Sequence, residues 1–560
     1  MTTARALLLL GAAWLGAAGT LAPALAQTLP GAVQPGRDRP LPQTPTQPDF
    51  DFRLEAPQRS PVPRAVDELH FVLNDIRIVG AKVIATSAFR PLYASLIGKN
   101  VSLSNILDVA DAIEQEYRAR GYLLVRAYVP PQRVKDGIFT INVSEGFVTS
   151  ASVEGGNAGT QEVTNAYLTA VTADRPLELS TIERALLLTN DLPGVTATGV
   201  LRPSATTPGA SDLVVTESQP PMTGGLAIDN RGSRFSGLWT VTGDAEFNGL
   251  FGADQLAATV TSAPDSLEQI QGQLRYRRAI GDDGLIGSMI GTVTHGEPGS
   301  TLSQFNVRTD SWAVGPRLTY PIERSRAETI SLDGGLTVQD ARVDILGSGI
   351  SHDQWRVFDI GVSYLHNDFL GMNWAATIDV AQGLPFLGAT PNHSLSLSRP
   401  DGLTDFTKIT AAAHMIMPLG NNFAAAFSTQ GQFSFAPLIT GEQIAYGGTQ
   451  IGRGYDPGAI TGDHGLGSSV ELHYDSHLPE WSIGTLEPYI FVDSARTWYI
   501  HGNTTSLPGE SIASTGGGIR FWLPWNATFD IEADRTLRPV PGSDGGKLAT
   551  KVLIDASIRF

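Results

Sequence analysis

The sequence predicts two small α+β modules, each with the order β-α-α-β-β, followed by a transmembrane antiparallel β-barrel of about 16 strands. Amphipathic helical patterns are confined to residues 68–219, where they occur twice in the same order with strand patterns. From residue 220 onward the sequence changes to short alternating segments separated by Gly, Asn, Asp and Pro. At about 20 residues for each strand and its connection, the remaining stretch of about 340 residues gives that strand number.

Residues 1–26 predict a secretory signal peptide that is cleaved after Ala26. Arg5 is the only charge before an apolar stretch of about 13 residues, and Ala24-Leu25-Ala26 supplies the small residues of a cleavage site. An uncleaved membrane anchor is the alternative, but it needs an apolar span of about 20 residues. No later window holds about 18 consecutive apolar residues, so we expect that this exported chain crosses a membrane only with strands.

The composition excludes several classes of function. The chain has 560 residues, a formal net charge of −17 and no cysteine. An acidic chain lacks the basic surplus that neutralises phosphates, so we predict no nucleic-acid partner. The lack of cysteine excludes disulfides, thiolate metal sites and cysteine nucleophiles. No serine stands in a G-x-S-x-G elbow, and we predict no catalytic residue, no cofactor and no enzyme activity.

Residues 27–67 predict an extended linker. Prolines recur through this segment, and neither helical nor strand periodicity is present. A disordered segment without a specific task is the alternative.

Residues 68–147 and 148–219 predict the two modules. In the first, the clearest helix has Ser104 as its N-cap, an apolar face that includes Ile113 and Tyr117, and Gly121 as its stop. Two strand patterns follow this helix. The second module repeats the order of elements with different residues, which indicates an internal repeat of topology.

Residues 220–560 show the alternation typical of an outer-membrane barrel, with apolar side chains outward and polar ones inward. One face of the last strand carries Val552, Ile554, Ala556, Ile558 and Phe560. Four aromatic residues near strand ends suit the membrane interfaces: Trp498, Tyr499, Trp522 and Trp525. A soluble β-sandwich or β-solenoid is the alternative, and it would give these aromatic side chains no such role.

Four motifs in order carry a family resemblance. They are the sequences "YRARGYLLVRAYVPPQ" with "VSEG" in the first module, "AIDNRGSRFSG", "IGRGYDPGAITGDHGLGSSVEL" and "FVDSA". The chain from about residue 69 to its end resembles the two-partner secretion transporters, the hemolysin secretion/activation proteins of the POTRA-barrel superfamily. Gly452 departs from the family pattern, which often has Val or Ile there, and Ala495 stands where the family has glycine.

The resemblance implies a translocator in the outer membrane of a Gram-negative bacterium, with its N-terminal POTRA domains in the periplasm. Such a protein exports a large exoprotein that carries an N-terminal secretion domain. It contacts outer-membrane lipid and uses no nucleotide. Two alternatives remain open: an assembly factor of the same superfamily, which inserts outer-membrane proteins or lipids, and a passive porin or receptor.

The candidate site combines a loop, residues 447–465, with one strand of the barrel wall. The resemblance implies that this loop lies inside the lumen, where Arg453, Gly454, Tyr455 and Asp463 belong to its motif. On the wall strand, Ile490 and Val492 alternate with Phe491 and Asp493, so an outward first pair turns the second pair into the lumen. We therefore expect an ion pair between Arg453 and Asp493.

The loop and its surroundings have three alternative interpretations. Arg453 in a solvated outer loop is the alternative to the ion pair. A phosphate loop is not indicated, because arginine follows Gly452, no Ser or Thr comes next and no βαβ unit surrounds it. His473, Asp475 and His477 alternate on one strand face and could bind a metal, but a polar lumen wall explains them as well, and we predict no metal site.

In the first module, the candidate partner-binding site is the segment of Tyr128, Val129, Pro130, Pro131 and Gln132. It is predicted to end a strand, and a strand edge or a strand–helix groove can accept an extended peptide. The alternative is that these residues only fold the module.

Overall fold

The computed structural model forms two α+β modules on one end of a closed β-barrel. The structure describes residues 29–36, 51–54, 70–207, 209–264, 267–369, 371–477, 484–500, 509–540, 543 and 546–560. The predicted signal peptide lies outside the described residues, as does most of the predicted linker. Within the described ranges, no helix is both long and apolar enough to span a membrane.

The first module packs its helices against a small mixed sheet in which β6 pairs with β3 and with β5. Its elements are β2 (His70–Val72), β3 (Asp75–Val79), α1 (Arg90–Tyr93), β4 (Asn100–Ser102), α2 (Leu103–Ala119), β5 (Arg126–Tyr128) and β6 (Ile138–Ser144). Helix α2 buries Ile113 and Tyr117 completely, and Gly121 follows it with a positive φ of 91°. The predicted N-cap, Ser104, is wrong: Ser102 caps the helix, and the side chain of Asn105 completes a capping box.

The second module has the order β7 (Val148–Gly155), α3 (Ala158–Ala173), α4 (Leu179–Asn190), β8 (Thr196–Pro203) and β9 (Ser211–Ser218). Its sheet contains one further strand, β1 (Asp51–Leu54), which comes from the predicted linker. The strand order is β1-β8-β9-β7, and β1 runs parallel to β8. Asn157 caps α3, and its side chain also donates to the Gly252 carbonyl in a turn of the barrel.

The barrel is closed by antiparallel pairing of the first strand, β10, with the last strand, β28. Two consecutive segments, β23 and β24, pair with the same neighbour, β25, and form one interrupted strand, so the barrel has sixteen strands. The first strands are β10 (Met222–Asp229), β11 (Thr240–Asn248), β12 (Asp254–Ser262), β13 (Gln269–Ile280), β14 (Leu285–Gly296), β15 (Arg308–Arg324), β16 (Glu328–Ile345) and β17 (Ser348–Phe369). The others are β18 (Met372–Gly383), β19 (Thr407–Gly420), β20 (Phe423–Ser434), β23 (His464–Tyr474), β24 (Ser476–His477), β25 (Thr485–Trp498), β26 (Ser511–Leu523), β27 (Ala527–Thr536) and β28 (Thr550–Arg559).

Side chains alternate along the strands as predicted. On β25, Ile490 and Val492 are 62% and 54% exposed, whereas Phe491 and Asp493 are buried. The outward apolar face is the one that contacts lipid in an outer-membrane barrel, and the inward face is polar. The predicted fold class, two α+β modules followed by a barrel of about 16 strands, is therefore confirmed. Of the four aromatic residues, Tyr499 does not fit the interfacial prediction, because its hydroxyl lies 2.9 Å from that of Thr461 in the lumen loop.

Two ion pairs fix the second module to the turn between β15 and β16. The guanidinium of Arg324 contacts both carboxylate oxygens of Asp191 at 2.7 Å. Arg326 donates through Nε to Glu183, with a distance of 3.2 Å. A bidentate pair fixes orientation as well as distance, so this module has a defined position below the barrel.

The opposite, outer end of the lumen is filled by loops and by the first described segment. Residues 29–36 contain a 3-10 turn (Gly31–Val33), and Leu29 and Val33 pack against Val343 of β16. A Cβ on Gly31 would lie 2.0 Å from the Gly458 carbonyl oxygen, so this segment touches the lumen loop directly. The N-terminal segment thus helps to close the outer mouth of the barrel.

Candidate functional site

The loop between β20 and β23 folds back into the barrel. Two short strands, β21 (Ile444–Tyr446) and β22 (Ile460–Gly462), pair at its base. Its apolar residues Tyr446, Ile451 and Tyr455 are buried against Ala495 and Ile512 of the wall. Alanine at the position where the family pattern has glycine therefore serves as a contact surface for the loop.

Two glycines permit the tight path of this loop. Gly447 has a φ of +112°, and a Cβ there would lie 2.2 Å from the Asp456 carbonyl oxygen. Gly452 has a φ of +85°, and a Cβ there would lie 2.4 Å from Ile512 Cδ1. A β-branched residue at position 452 would be strained in this backbone conformation, which gives the departure from the family pattern a local reason.

Arg453, directly after Gly452, points its guanidinium at the inner wall and is only 7% exposed. Its Nη1 donates to Glu471 Oε2 at 2.8 Å, and its Nε donates to Asp493 Oδ2 at 3.3 Å. A third carboxylate, that of Glu532, lies 3.5 Å from Nη1. The guanidinium carbon stands 3.3 Å from the centre of the Phe491 ring, which adds a cation–π contact.

Asp493 is fully buried, and its carboxylate accepts hydrogen bonds from both the backbone and the side chain of the loop. Its Oδ2 accepts from the backbone N–H groups of Gly452 and Arg453, at 3.1 and 3.0 Å, in addition to the guanidinium. The carboxylate therefore fixes the loop backbone as well as the loop charge. A buried carboxylate with several donors is held strongly, because each donor replaces a lost water contact.

The next two residues extend the contact to the neighbouring wall strands. A Cβ on Gly454 would lie 3.1 Å from Ser514 Cβ and 3.3 Å from the Thr536 nitrogen, so the loop backbone runs close to the wall. The Tyr455 hydroxyl lies 2.7 Å from the Ala513 carbonyl oxygen, where β26 begins. The loop tip is thus fitted to the wall through backbone contacts that larger side chains would prevent.

Asp463 lies at the base of the loop and does not reach the Arg453 cluster. Its Oδ1 accepts from Arg399 Nη1 at 2.6 Å and from the Leu438 N–H at 3.0 Å, and its Oδ2 accepts from the Ile500 N–H at 2.8 Å. It is completely buried. Asp463 therefore joins three outer loops to one another, which is a second and separate fixation point.

The electrostatics around Arg453 favour a fixed positive charge inside the lumen. Two of its carboxylate neighbours have cations of their own: Arg520 lies 2.7 Å from Glu471, and Arg231 lies 3.1 Å from Glu532. Asp493 differs from these two carboxylates: among the residues that the structure describes, the cation within 4 Å of it is Arg453 itself. The arrangement holds the loop against the wall through both its backbone and its charge.

Comparison with known proteins identifies the family. The model for the family described as "Haemolysin secretion/activation protein ShlB/FhaC/HecB" matches residues 209–521, which is more than half of the chain. This chain belongs to that family. A model for the ShlB-type POTRA domain also matches residues 71–146. The protein is an outer-membrane secretion transporter with periplasmic POTRA modules, and its family consists of transporters rather than enzymes.

Individual members of the haemolysin secretion/activation family are distant in sequence. The heme/hemopexin transporter protein HuxB of Haemophilus influenzae is 22% identical over 476 residues, which cover 81% of each chain. The hemolysin transporter protein HpmB of Proteus mirabilis is 23% identical, with 90% of this chain and 89% of that protein covered. The structure of CdiB from Escherichia coli matches 90% of this chain and 93% of its own, with a TM-score of 0.66 and 20% identity. BamA from Haemophilus ducreyi has a TM-score of 0.54 at 12% identity, over 88% of this chain and 100% of that one, which shows a shared fold alone.

The candidate partner-binding segment lies at the edge of the first module's sheet. Tyr128, 51% exposed, ends the edge strand β5, and Val129, Pro130 and Pro131 follow it. The Gln132 side chain donates to the Thr140 carbonyl and accepts from the Thr140 N–H, both at 2.8 Å. Gln132 therefore continues the pairing of β6 beyond β5, whereas Tyr128 and Pro131 remain accessible.

Other family-signature residues of the first module hold its fold. The Tyr117 hydroxyl donates to Glu145 Oε1 at 2.8 Å, and the same oxygen accepts from the backbone of Lys82 and Val83. Burial, followed by the nearby Glu145, raises the pKa of Tyr117 and keeps its hydroxyl a donor. These contacts join α2 to the connections after β3 and β6.

In the structure the face of His473, Asp475 and His477 is interrupted, because β23 ends at Tyr474 and β24 begins at Ser476. His473 has Glu471 and Glu487 as acidic neighbours, and His477 belongs to the segment after the strand interruption at Asp475. Arg520 Nη1 lies 2.7 Å from both Glu471 and Glu487, so one positive charge is shared by two carboxylates. The absence of a metal site on this face stays a prediction.

Sequence reasoning missed several residues of the site. Glu471 and Glu532 face Arg453 from β23 and β27, and Arg399 reaches Asp463 from the loop after β18. The alternation of β23 gives a signal for Glu471, because it shares a face with Ser469, which Arg453 also contacts. No comparable signal exists for Arg399, since its loop has no periodicity.

Proposed function

We propose that this transporter exports one large exoprotein, which reaches it unfolded in the periplasm and passes through the barrel lumen. In this proposal residues 1–26 direct export, 27–67 form the linker, and the modules of residues 68–147 and 148–219 capture the N-terminal secretion domain of the partner. Residues 220–560 form the conduit. The Arg453 loop closes the conduit when no partner is present.

The observation that carries this proposal is a loop held in the lumen by Arg453 and Asp493. A barrel of sixteen strands is wide enough for an aqueous channel, as in porins. The loop and the outer segments fill that space, so a passage must be opened for a chain. A small number of buried side-chain contacts with the wall, centred on Asp493, is suited to this, because each can be made and broken without unfolding of the barrel.

The proposal needs neither nucleotide nor cofactor. In the glycine-rich loop, the N–H groups of Gly452 and Arg453 donate to Asp493 rather than toward a free anion site. The Arg453 guanidinium is likewise directed at carboxylates. Outside the barrel, the exposed Ile490 and Val492 belong to the surface that we assign to outer-membrane lipid.

Secretion of the cognate exoprotein tests this function. A strain that lacks the transporter is expected to retain the exoprotein in the periplasm, and the wild-type gene is expected to restore its appearance outside the cell. Secretion that is independent of the transporter would reject the proposal.

The fold shared with BamA favours one second candidate, an assembly factor for outer-membrane proteins. Depletion distinguishes the two functions. A transporter of one partner leaves the general population of barrel proteins intact, whereas loss of many barrel proteins from the outer membrane would support the assembly role.

A further inference from the structure

Two arginines lie on the outside of the barrel near the end of β27. Arg535 is the last outward residue of this strand and follows the exposed apolar residues Ile531 and Ala533 on the same face. Arg538 is exposed in the loop that comes next. Strand direction alternates from β15, whose last residue, Arg324, contacts the second module, so β27 ends at the opposite, outer rim. Arg535 and Arg538 are called the rim arginines below.

A tryptophan marks the level of the membrane surface at this rim. Trp498 is exposed at the outer end of β25, and the guanidinium carbon of Arg496 lies 5.2 Å from the centre of its ring. Arg496 is also the register partner of Ser511, the first residue of β26. Because tryptophan side chains collect at the headgroup level of a membrane, the neighbouring rim arginines lie at the headgroups of the outer leaflet.

Arg538 is held in place from both sides of the wall. On the outer face its Nη1 donates to Ser511 Oγ at 2.6 Å. On the lumen side its backbone N–H donates to the Tyr455 hydroxyl at 3.1 Å, and the same hydroxyl lies 2.8 Å from its carbonyl oxygen. A side chain that is already fixed loses less conformational freedom when a ligand binds. Arg538 is therefore a preorganised cation.

The rim arginines differ from other arginines at the outer rim in having no protein anion beside them. Arg308 lies 2.7 Å from Glu297, and Arg342 lies 3.2 Å from Asp344. Within the described ranges, no carboxylate lies within 4 Å of either rim arginine. This is unusual in a chain with a net charge of −17. The planar fork of N–H donors on an arginine matches the oxygens of a phosphate group, so the pair is suited to a phosphorylated ligand.

The surroundings of the rim arginines define the rest of that ligand. The two residues stand three positions apart in the chain, so their Cα atoms are at most about 11 Å apart. Toward the membrane centre the outward face is apolar, with Val552 of β28 opposite Ala533 and with Ile531 beyond it. The fitting ligand has phosphates on a compact headgroup and acyl chains beneath them. Lipid A, the membrane anchor of lipopolysaccharide in the outer leaflet, is built in this way.

We infer that Arg535 and Arg538 bind the phosphate groups of lipid A and hold this glycolipid against the outer ends of β26 and β27. The inference goes beyond the proposed export function and depends only on the position of the barrel in the outer membrane. It places a lipid headgroup on the outside of the wall segment that Tyr455 of the lumen loop contacts from the inside.

Lipid binding by the purified full-length protein in detergent tests the site. The probes are lipid A with two phosphates, the same lipid with both phosphates removed, and inorganic phosphate alone. The wild type is expected to bind the phosphorylated lipid at least about tenfold more tightly than the dephosphorylated one, because hydrogen bonds to charged groups are strong. Arg535→Gln with Arg538→Gln should remove this preference and leave binding of the dephosphorylated lipid unchanged, since the apolar face is intact.

The control variant is Arg308→Gln, which removes a rim arginine that already has Glu297 as its partner, and it should keep the wild-type preference. Heat-modifiable electrophoretic mobility reports the folding of each variant. Each single variant, Arg535→Gln or Arg538→Gln, should lose several-fold of the preference, so the test does not depend on the double variant alone.

Three results would overturn the inference. The first is equal binding of the two lipids by the wild type, or a full preference in the double variant. The second is binding of inorganic phosphate as tight as that of lipid A, which would assign the arginines to a free anion. The third is reduced secretion in the double variant with lipid binding unchanged, which would assign them to the exported chain.

Discussion

Arg453→Ala removes the cation that holds the lumen loop. In this variant Glu471 still has its ion pair with Arg520, and Glu532 still has its ion pair with Arg231. Asp493 loses its ion pair with Arg453, the cation that lies within 4 Å of it among the described residues. Breaking a buried pair of this kind costs about 3–5 kcal/mol. At 1.4 kcal/mol for each factor of ten, the equilibrium between the docked and the released loop shifts about 100- to 4,000-fold toward release.

Two readouts follow from that shift. Secretion of the exoprotein is expected to fall sharply, because the closed state and its ordered opening are lost, while heat-modifiable electrophoretic mobility shows that the barrel is still folded. Loop release is measured separately with Ala459→Cys, a loop position that is 9% exposed. Maleimide labelling of this cysteine should be slow with Arg453 present and fast in the Arg453→Ala background.

A double-mutant cycle assigns the effect to the pair. Asp493→Ala alone and Asp493→Ala with Arg453→Ala should release the loop to a similar degree, because the second change removes a partner that is already lost. Arg496→Ala is the matched control, since this arginine is exposed on the same strand as Asp493. Wild-type secretion together with slow labelling in Arg453→Ala would refute the reasoning.

Three further predictions concern the second fixation point and the second module. Asp463→Asn removes the charge that Arg399 contacts at 2.6 Å, and faster protease cleavage of the outer loops is expected with the Arg453 contact unchanged. Asp191→Asn weakens the bidentate pair with Arg324, and increased hydrogen exchange is expected in the second module but not in the first. Burial, followed by the charge of Asp191, raises the pKa of Tyr167 from 10.0 to about 12, so this residue stabilises the module below pH 10 and the contribution is lost as the pH rises toward 12. In Tyr167→Phe, the free energy of unfolding measured by circular dichroism should fall less between pH 10 and pH 12 than it does in the wild type.

Local periodicity explains what the sequence could predict. The two-residue repeat of a strand assigns Phe491 and Asp493 to the same face once Ile490 and Val492 are assigned to lipid, and this needs no tertiary information. In the same way, the helical repeat of α2 identifies Ile113 and Tyr117 as core residues. The family motif then supplied the loop partner for Asp493.

Long-range geometry explains what the sequence could not predict. Glu532 and Arg399 reach the loop because barrel closure and strand stagger bring distant segments together, and neither follows from a local pattern. The pairing of β1 with β8 joins segments on either side of a whole module, and a four-residue strand has too little alternation to be recognised. The capping error at Ser104 was local, since two serines stand two residues apart and both suit a cap.

The most direct test of closure by the lumen loop is secretion by a transporter whose loop is covalently fixed to the wall. Gly454→Cys with Ser514→Cys places two cysteines at a site where the Cβ atoms would be 3.1 Å apart, so a small shift gives disulfide geometry in a chain without other cysteines. If the loop must leave its position for export, the oxidised variant secretes only background amounts of the exoprotein, and a reductant restores wild-type secretion. Undiminished secretion with the disulfide formed would contradict the proposal that this loop closes the conduit.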